Sequence, residues 1–439
     1  MQMNTPHRNS GSDSRKIPEH KQSRGQTAPQ SGQNRESRTN RVDNRHVAKT
    51  DGANKLSDTG TAVPKLVRYK GTCDKAFLAL VLVLISFGSV MVFSASYAYS
   101  MNRSGDSYAF IKKQIFFVAL GLVFMFCASL MDPEHIRRLT PFLFIGTIGL
   151  LLLVLIIGTV GGGAKRWLSV GNLFTVQPSE IAKLALVLQL AMYMEKYKDI
   201  INDDPSIKKR RIYGIGYPLI YIGIICLLVV LEKHLSATVI LFVVGIIVIW
   251  AGGADRKFMV ASGTIGVTTL ALVAWFVPYT RRRIDIWFNP EKNITGDGWQ
   301  TIQGLRAIGS GGLLGLGPTN SRQKHMYVSQ PQNDFIYSIL CEELGFVGAV
   351  AVIVLFIMLI VRGYMIAMKA PDMFTSLAVT GIVSKVGLQA AFNIGVVTNT
   401  LPNTGISLPF FSYGGSSTLI LLVEMGIVLA ISRYSSQEH

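Results

Sequence analysis

The chain has 439 residues, 49% of them hydrophobic and only 16% charged, where soluble domains carry about 25% charged side chains, and its mean hydropathy is positive. That combination excludes a disordered, fibrous or ordinary soluble protein. The net charge of +17, from 43 Lys and Arg against 26 Asp and Glu, points first to an acidic membrane surface or an anionic substrate and only weakly to nucleic acid.

Residues 1–75 hold 15 basic and 7 acidic side chains among Ser, Asn, Gln and Gly, with almost no aromatic or branched apolar residues. Such a segment buries too little surface to offset its ordering entropy, so it is expected to be a disordered basic tail, a solvated segment or a docking one. It is not a signal peptide, because no apolar stretch follows its charges before residue 76. Cys73, Cys127, Cys226 and Cys341 lie in or beside apolar runs without paired spacing, which supports neither a disulfide framework nor a zinc site.

From Ala76 onward the apolar residues fall into ten runs, at 76–97, 114–131, 141–160, 179–195, 214–231, 235–252, 258–278, 335–361, 374–398 and 413–433. Each is long enough to cross a hydrocarbon core of about 30 Å. The expectation is an all-α polytopic membrane protein of about ten transmembrane helices over residues 76–433, ending in a short tail at 434–439. Lys and Arg concentrate on the connections that share a side with the N-terminal tail, among them Arg137, Arg138, Lys208, Lys209, Arg210, Arg211 and Arg362. By the positive-inside bias both termini are cytoplasmic.

The long outer connection between spans seven and eight, residues 279–334, opposes that bias. It holds Arg281, Arg282, Arg283, Lys292, Arg306, Arg322 and Lys324 against Asp285, Glu291, Asp297 and Asp334. An anionic ligand at the outer membrane face would account for the surplus. Within it Gly304, Gly309, Gly311, Gly312, Gly315 and Gly317 allow two readings: exposed amides beside Arg306, Arg322 and Lys324 that cradle a phosphate, or a loop or amphipathic helix lying on the membrane. No P-loop or dinucleotide spacing is present. Asp334, at the junction with span eight, is either a helix cap or a catalytic base.

Glu342, Glu343, Lys183, Lys385 and Glu424 fall inside spans, where a charge is costly and must face a partner or a cavity. Glu180 and Lys183 share a helix face; for Lys385 the candidate partners are Glu343 and Glu424. Structural ion pairs and substrate contacts are both open for these groups. Two outward loops, one carrying Lys165, Arg166 and Trp167, the other Pro402, Pro409 and Ser412, are expected to line a cavity, since irregular backbone at membrane depth needs protein or water partners.

Residues 304–348, 163–184, 232–240 (EKHLSATVI) and 401–417 (LPNTGISLPFFSYGGSS) together closely resemble the shape, elongation, division and sporulation (SEDS) family of bacterial peptidoglycan polymerases. The SRQKH and PQNDFIYSILCEELGF segments look most like its FtsW/SpoVE branch, with RodA a less close sibling; Asn333 stands where many relatives carry Thr. The resemblance implies a ten-span glycosyltransferase that joins lipid II units into β-1,4 glycan at the outer face of the bacterial cytoplasmic membrane, in septal cell-wall synthesis or in the sibling tasks of sporulation or elongation. It places the catalytic aspartate on Asp334. Candidate substrate contacts are Lys165, Arg166, Lys183, Arg306, Arg322, Lys324, Glu343, Lys385, Pro402 and Ser412. It further implies a class B penicillin-binding transpeptidase and other division proteins as partners, in contact with membrane lipid and not with nucleic acid. No cofactor is declared; a divalent cation, Mg2+ or Mn2+, sharing the pyrophosphate charge is left open, and no acidic cluster announces a metal site. The competing function is a lipid flippase or transporter, which the charges within the spans would also suit.

Overall fold

The computed structural model describes residues 71–161, 164–170, 174–276, 278–293 and 297–434. Residues 1–70 of the expected tail over 1–75, and residues 435–439, lie outside the described residues. In hydrocarbon every backbone amide needs an internal partner, so long apolar runs become helices. These are α1 (Lys75–Ser104), α2 (Ala109–Leu130), α3 (Pro133–Ile157), α4 (Pro178–Lys196), α5 (Lys198–Asp203), α6 (Ile207–Arg211), α7 (Tyr217–Leu231), α8 (Leu235–Ala251), α9 (Arg256–Phe276), α10 (Pro278–Phe288), α11 (Asp297–Ser310), α12 (Ile336–Met368), α13 (Met373–Val397) and α14 (Gly415–Ser432).

A helix stands on each of the ten expected segments. Among the described residues, seven stretches are long and apolar enough to cross a membrane: α1, α2, α3, the continuous Ile207–Leu231, α12, α13 and α14. α8 is apolar but only 17 residues long, and α4 carries Glu180, Lys183, Glu195 and Lys196. The two outer connections prove more ordered than plain loops. A three-stranded antiparallel meander, β1 (Thr159–Gly161), β2 (Ala164–Val170) and β3 (Phe174–Val176), leads into α4, with Leu168 opposite Val176. The long connection is built of α10, a 3-10 turn at Pro290–Asn293, and α11. α11 turns Thr301, Gln303 and Ala307 inward, while Trp299 Nε1 and Gln300 Nε2 donate to the carbonyls of Tyr327 and Ser329.

α4 and α13 are the inner helices: α13 packs on α4, α8 and α12, and α14 packs on α2. Outward, Phe116 and Phe126 of α2 and Phe142, Ile145 and Ile156 of α3 are exposed, as expected where lipid replaces water as the solvent. One end of the bundle is fastened by charge. Arg137 bridges Glu134, Glu195 and Asp372, and Arg362 pairs with Asp74, which caps α1.

α12 has 33 residues, about 50 Å of helix, and is broken at Gly345 (φ 67°, ψ −166°). The glycine-rich loop fills that break. The amides of Leu316 and Gly317 donate to the carbonyls of Glu342 and Glu343, and those of Phe346 and Val347 donate to Gly312 and Leu313. Gly315 sits at φ +81°, and a Cβ there would collide with the Glu343 carbonyl. Of the glycine amides that suggested a phosphate cradle, that of Gly317 is spent on closing the broken helix and that of Gly315 donates within the loop to Gly311.

Candidate active site

The helix ends and connections at the opposite end from Arg137 converge on a cavity of about 250 Å³. β2 brings Arg166 and Trp167, the first turns of α4 bring Glu180 and Lys183, and the start of α8 brings His234 and Ser236. Gln330, Asn333 and Asp334 come from the chain before α12, Gln389 from α13, and Gly405, Ser407 and Tyr413 from the proline-bearing connection.

Asp334 is not a helix cap: Phe335 takes the cap position of α12 and no side chain caps it. The Asp334 carbonyl accepts from Asn393 Nδ2 at 2.8 Å. Its carboxylate lies against Gly405 (φ +69°), where a Cβ would stand 3.2 Å from Oδ2; glycine leaves that side of the carboxylate clear. Burial pushes the carboxyl up to about 6, while the Arg283 and Arg166 guanidinium charges pull the other way. It is therefore largely ionised at pH 7, as a base must be. Both arginines are held by backbone: Arg283 Nη1 donates to the Asn403 carbonyl at 2.6 Å and Arg166 Nη2 to that of Lys233 at 2.5 Å.

Behind Asp334 the polar lining is paired. Lys183 Nζ lies 2.8 Å from Glu180 Oε1 and donates to Gln389 Oε1 at 3.2 Å, whose Nε2 donates to Ser407. The His234 ring nitrogen Nδ1 sits 3.2 Å from Ser179 Oγ. Burial, reinforced by Arg166 and Lys183, pushes His234 down to about 3, so it is neutral and offers hydrogen bonds rather than charge. A smaller adjoining cavity reaches Lys385 and Ser412. There Lys385 pairs with Glu424, and both are buried; of its two candidate partners, Glu343 is the one that goes elsewhere.

Of the residues expected at the substrate, Asp334, Arg166 and Lys183 line the main cavity, and Lys385 and Ser412 line the smaller one. The others do not meet there. Lys324, only 2% exposed, pairs with Glu343 at 2.9 Å, and Glu343 also accepts from Ser94. This pair fastens the loop to α12 and α1, and neither member faces the cavity. Arg306 and Arg322 are exposed, Lys165 reaches toward the Ile156 carbonyl, and Pro402 is outside the lining. His234 and Gln389, which line the cavity, and Arg283, whose charge reaches Asp334 from outside the lining, were missed. Gln389 carried a legible signal, standing four residues after Lys385 and so on its face. Arg283 is one of three consecutive arginines, and nothing local selects it.

Among the described residues no group of three His, Cys, Asp or Glu side chains could hold a metal ion. Asp334 and Glu180 are the cavity's carboxylates, and Glu180 is engaged by Lys183. These donors alone do not make a divalent-cation site.

A model of the FtsW/RodA/SpoVE cell cycle protein family matches residues 74–437. The chain belongs to that family. It is 37% identical to stage V sporulation protein E of Bacillus subtilis, over 83% of this chain and 98% of that one. To a probable peptidoglycan glycosyltransferase FtsW of Geobacter sulfurreducens it is 35% identical, over 85% and 97%. Among solved structures, Thermus thermophilus rod shape determining protein RodA superposes with a TM-score of 0.62 at 26% identity, covering 83% of this chain and 98% of that one. A chain from work on structural coordination of polymerization and crosslinking by a peptidoglycan synthase complex superposes with 0.68 at 26% identity, covering 82% and 98%. Like those FtsW and RodA relatives, this is a multi-pass protein of the cytoplasmic membrane.

Proposed function

We propose that this chain is a peptidoglycan glycosyltransferase that polymerises lipid II at the outer face of the cytoplasmic membrane, with Asp334 as the general base. The observation that carries the proposal is a partly exposed carboxylate in a polar cavity, raised to about 6 and flanked by the charges of Arg166 and Arg283. The acceptor sugar's 4-hydroxyl gives its proton to Asp334 while its oxygen forms a bond to the donor's anomeric carbon. The bond from that carbon to the pyrophosphate oxygen breaks, with inversion to a β-1,4 link, and lipid pyrophosphate leaves. Negative charge grows on the leaving group, and fixed cations stabilise it there more than in the ground state. Arg166 and Arg283 take that role, in place of Arg306, Arg322 and Lys324.

The wider setting belongs to the same proposal. Ten helices span the membrane with both termini cytoplasmic, a class B penicillin-binding transpeptidase and other division proteins bind it, and the work is done at the septum. A flippase is the weaker reading, because Lys183, Lys385 and Glu424, which would mark a translocation path, are taken up in ion pairs. The test is polymerisation of fluorescent lipid II by the purified protein with its transpeptidase. Asp334→Asn, still folded and partner-bound, is expected to lose about 10²–10⁴-fold in turnover; normal polymer from that variant ends the assignment.

A further inference from the structure

We infer that Asn393 is a positioning residue for Asp334, and that the connection after α13 is a clamp that sets the angle at which the base meets its substrate. The inference rests on Asp334 being the base. Three consecutive carbonyls of the segment that carries it are each taken by a donor, two from this clamp and one from the last turns of α13. The Tyr413 amide donates to Gln332 at 2.8 Å, Ser412 Oγ donates to Asn333 at 2.9 Å, and Asn393 Nδ2 donates to Asp334 at 2.8 Å.

Asn393 does more than hold one carbonyl. Its Nδ2 also donates to the Ile406 carbonyl at 2.6 Å, and the residue before Ile406 is Gly405, whose backbone forms the wall against Asp334 Oδ2. One buried amide thus ties the carrier of the carboxylate to the surface the carboxylate rests on. Asn393 is fully buried and does not line the cavity, so it acts through Asp334 and not on substrate. Ser412 has the same character: its hydroxyl donates to Asn333 and accepts from the Leu408 amide, which leaves it bound to backbone on both sides.

A general base works only within hydrogen-bond reach of the proton it takes, and a displacement of about 1 Å costs on the order of 10²-fold in rate. Asn393→Leu keeps the branched four-atom shape, with somewhat bulkier methyl groups, and removes the donor. It is expected to lower kcat roughly 10- to 100-fold with KM for lipid II unchanged, and Ser412→Ala to lower kcat in the same direction by less. The discriminating measurement is a double-mutant cycle with Asp334→Glu, which moves the carboxylate by one methylene. If Asn393 works through the position of Asp334, the Asn393→Leu penalty shrinks severalfold in that background. Penalties that multiply in full, or a kcat loss that follows a fall in melting temperature, overturn the inference. So does an Asn393→Leu enzyme with wild-type kcat. The base assignment fails separately, through an active Asp334→Asn enzyme.

Discussion

Asp334→Asn should stabilise the protein while inactivating it. The carboxyl has an ordinary value of 3.8 and is pushed to about 6 by burial, so the folded state binds a proton that the unfolded state releases between those two pH values. Stability is then greatest below about pH 4, falls as the pH rises from there to about 6, and is flat above. A shift of about 2 units at 1.36 kcal/mol each withholds up to about 3 kcal/mol at pH 7. Asparagine has no such charge to desolvate, and the carboxylate's one favourable influence is the pull of Arg283 and Arg166. Unfolding of wild type and Asp334→Asn in detergent, followed from pH 4 to 8, should therefore show the variant gaining relative to wild type up to about pH 6 and holding that gain above it. Wild-type polymerisation should rise through the same range, about tenfold between pH 5 and pH 7, as the base ionises. A variant destabilised equally at every pH, or a rate with no acid limb near 6, would refute the reasoning. Replacing Arg166 with Gln removes one of the two cations and should move that limb to higher pH.

The buried ion pairs give two further expectations and the glycine loop a third. Lys385→Met strands Glu424 in the membrane core and should cost about 3–5 kcal/mol, with the double change Lys385→Met, Glu424→Leu recovering most of it; a single variant as stable as wild type in detergent unfolding would contradict the pairing. Lys324→Ala should likewise cost about 3–5 kcal/mol through the stranded Glu343 and leave KM for lipid II unchanged, whereas a raised KM at unchanged stability would return Lys324 to the substrate site. Gly315→Ala should lose about 1–3 kcal/mol from the left-handed backbone alone and release the loop from α12, read as faster proteolysis between residues 311 and 334; unchanged protection would show that the helix break does not depend on the loop.

The membrane helices were legible because hydrocarbon thickness fixes their length and composition. Each expected run of apolar residues carries a helix, even where, as in α12, the helix continues several residues past the run. α10 and α11 were not legible, because they are polar, short and interleaved with turn residues, so no uniform apolar signal marks them. The glycine motif was seen and its purpose was left between two readings, since what explains it is Gly345, thirty residues downstream of Gly315 and in another element. Of the surplus cations in the outer connection, Lys324 is taken up by Glu343, whereas Arg306 and Arg322 are exposed. Whether Lys324 faces substrate or Glu343 is decided by the loop doubling back onto α12, a tertiary fact with no local trace. Lys385 was easier: the spans hold few acids, so its candidate partners were only two, and one of them is its partner.

That apportioning bears on how the chemistry is balanced. Lys183 and Glu180 cancel within the cavity, and His234 is held neutral by burial and the neighbouring cations. Glu232, buried beside Arg166, is pushed up to about 8 and so is mostly protonated at pH 7. Asp334 sits in the field of Arg283 and Arg166, whose charges oppose the effect of its burial. On the proposed mechanism, Asp334 while ionised partly offsets the charge that Arg166 and Arg283 present to the donor's pyrophosphate in the ground state. On that same mechanism, the proton Asp334 accepts from the hydroxyl removes the offset as negative charge appears on the leaving group. A base and a cation pair arranged this way favour the transition state over the bound substrate, which is the condition for raising turnover rather than only tightening binding. The low-dielectric wall of buried helix ends around the cavity enlarges the effect, because each charge there is screened less than in water.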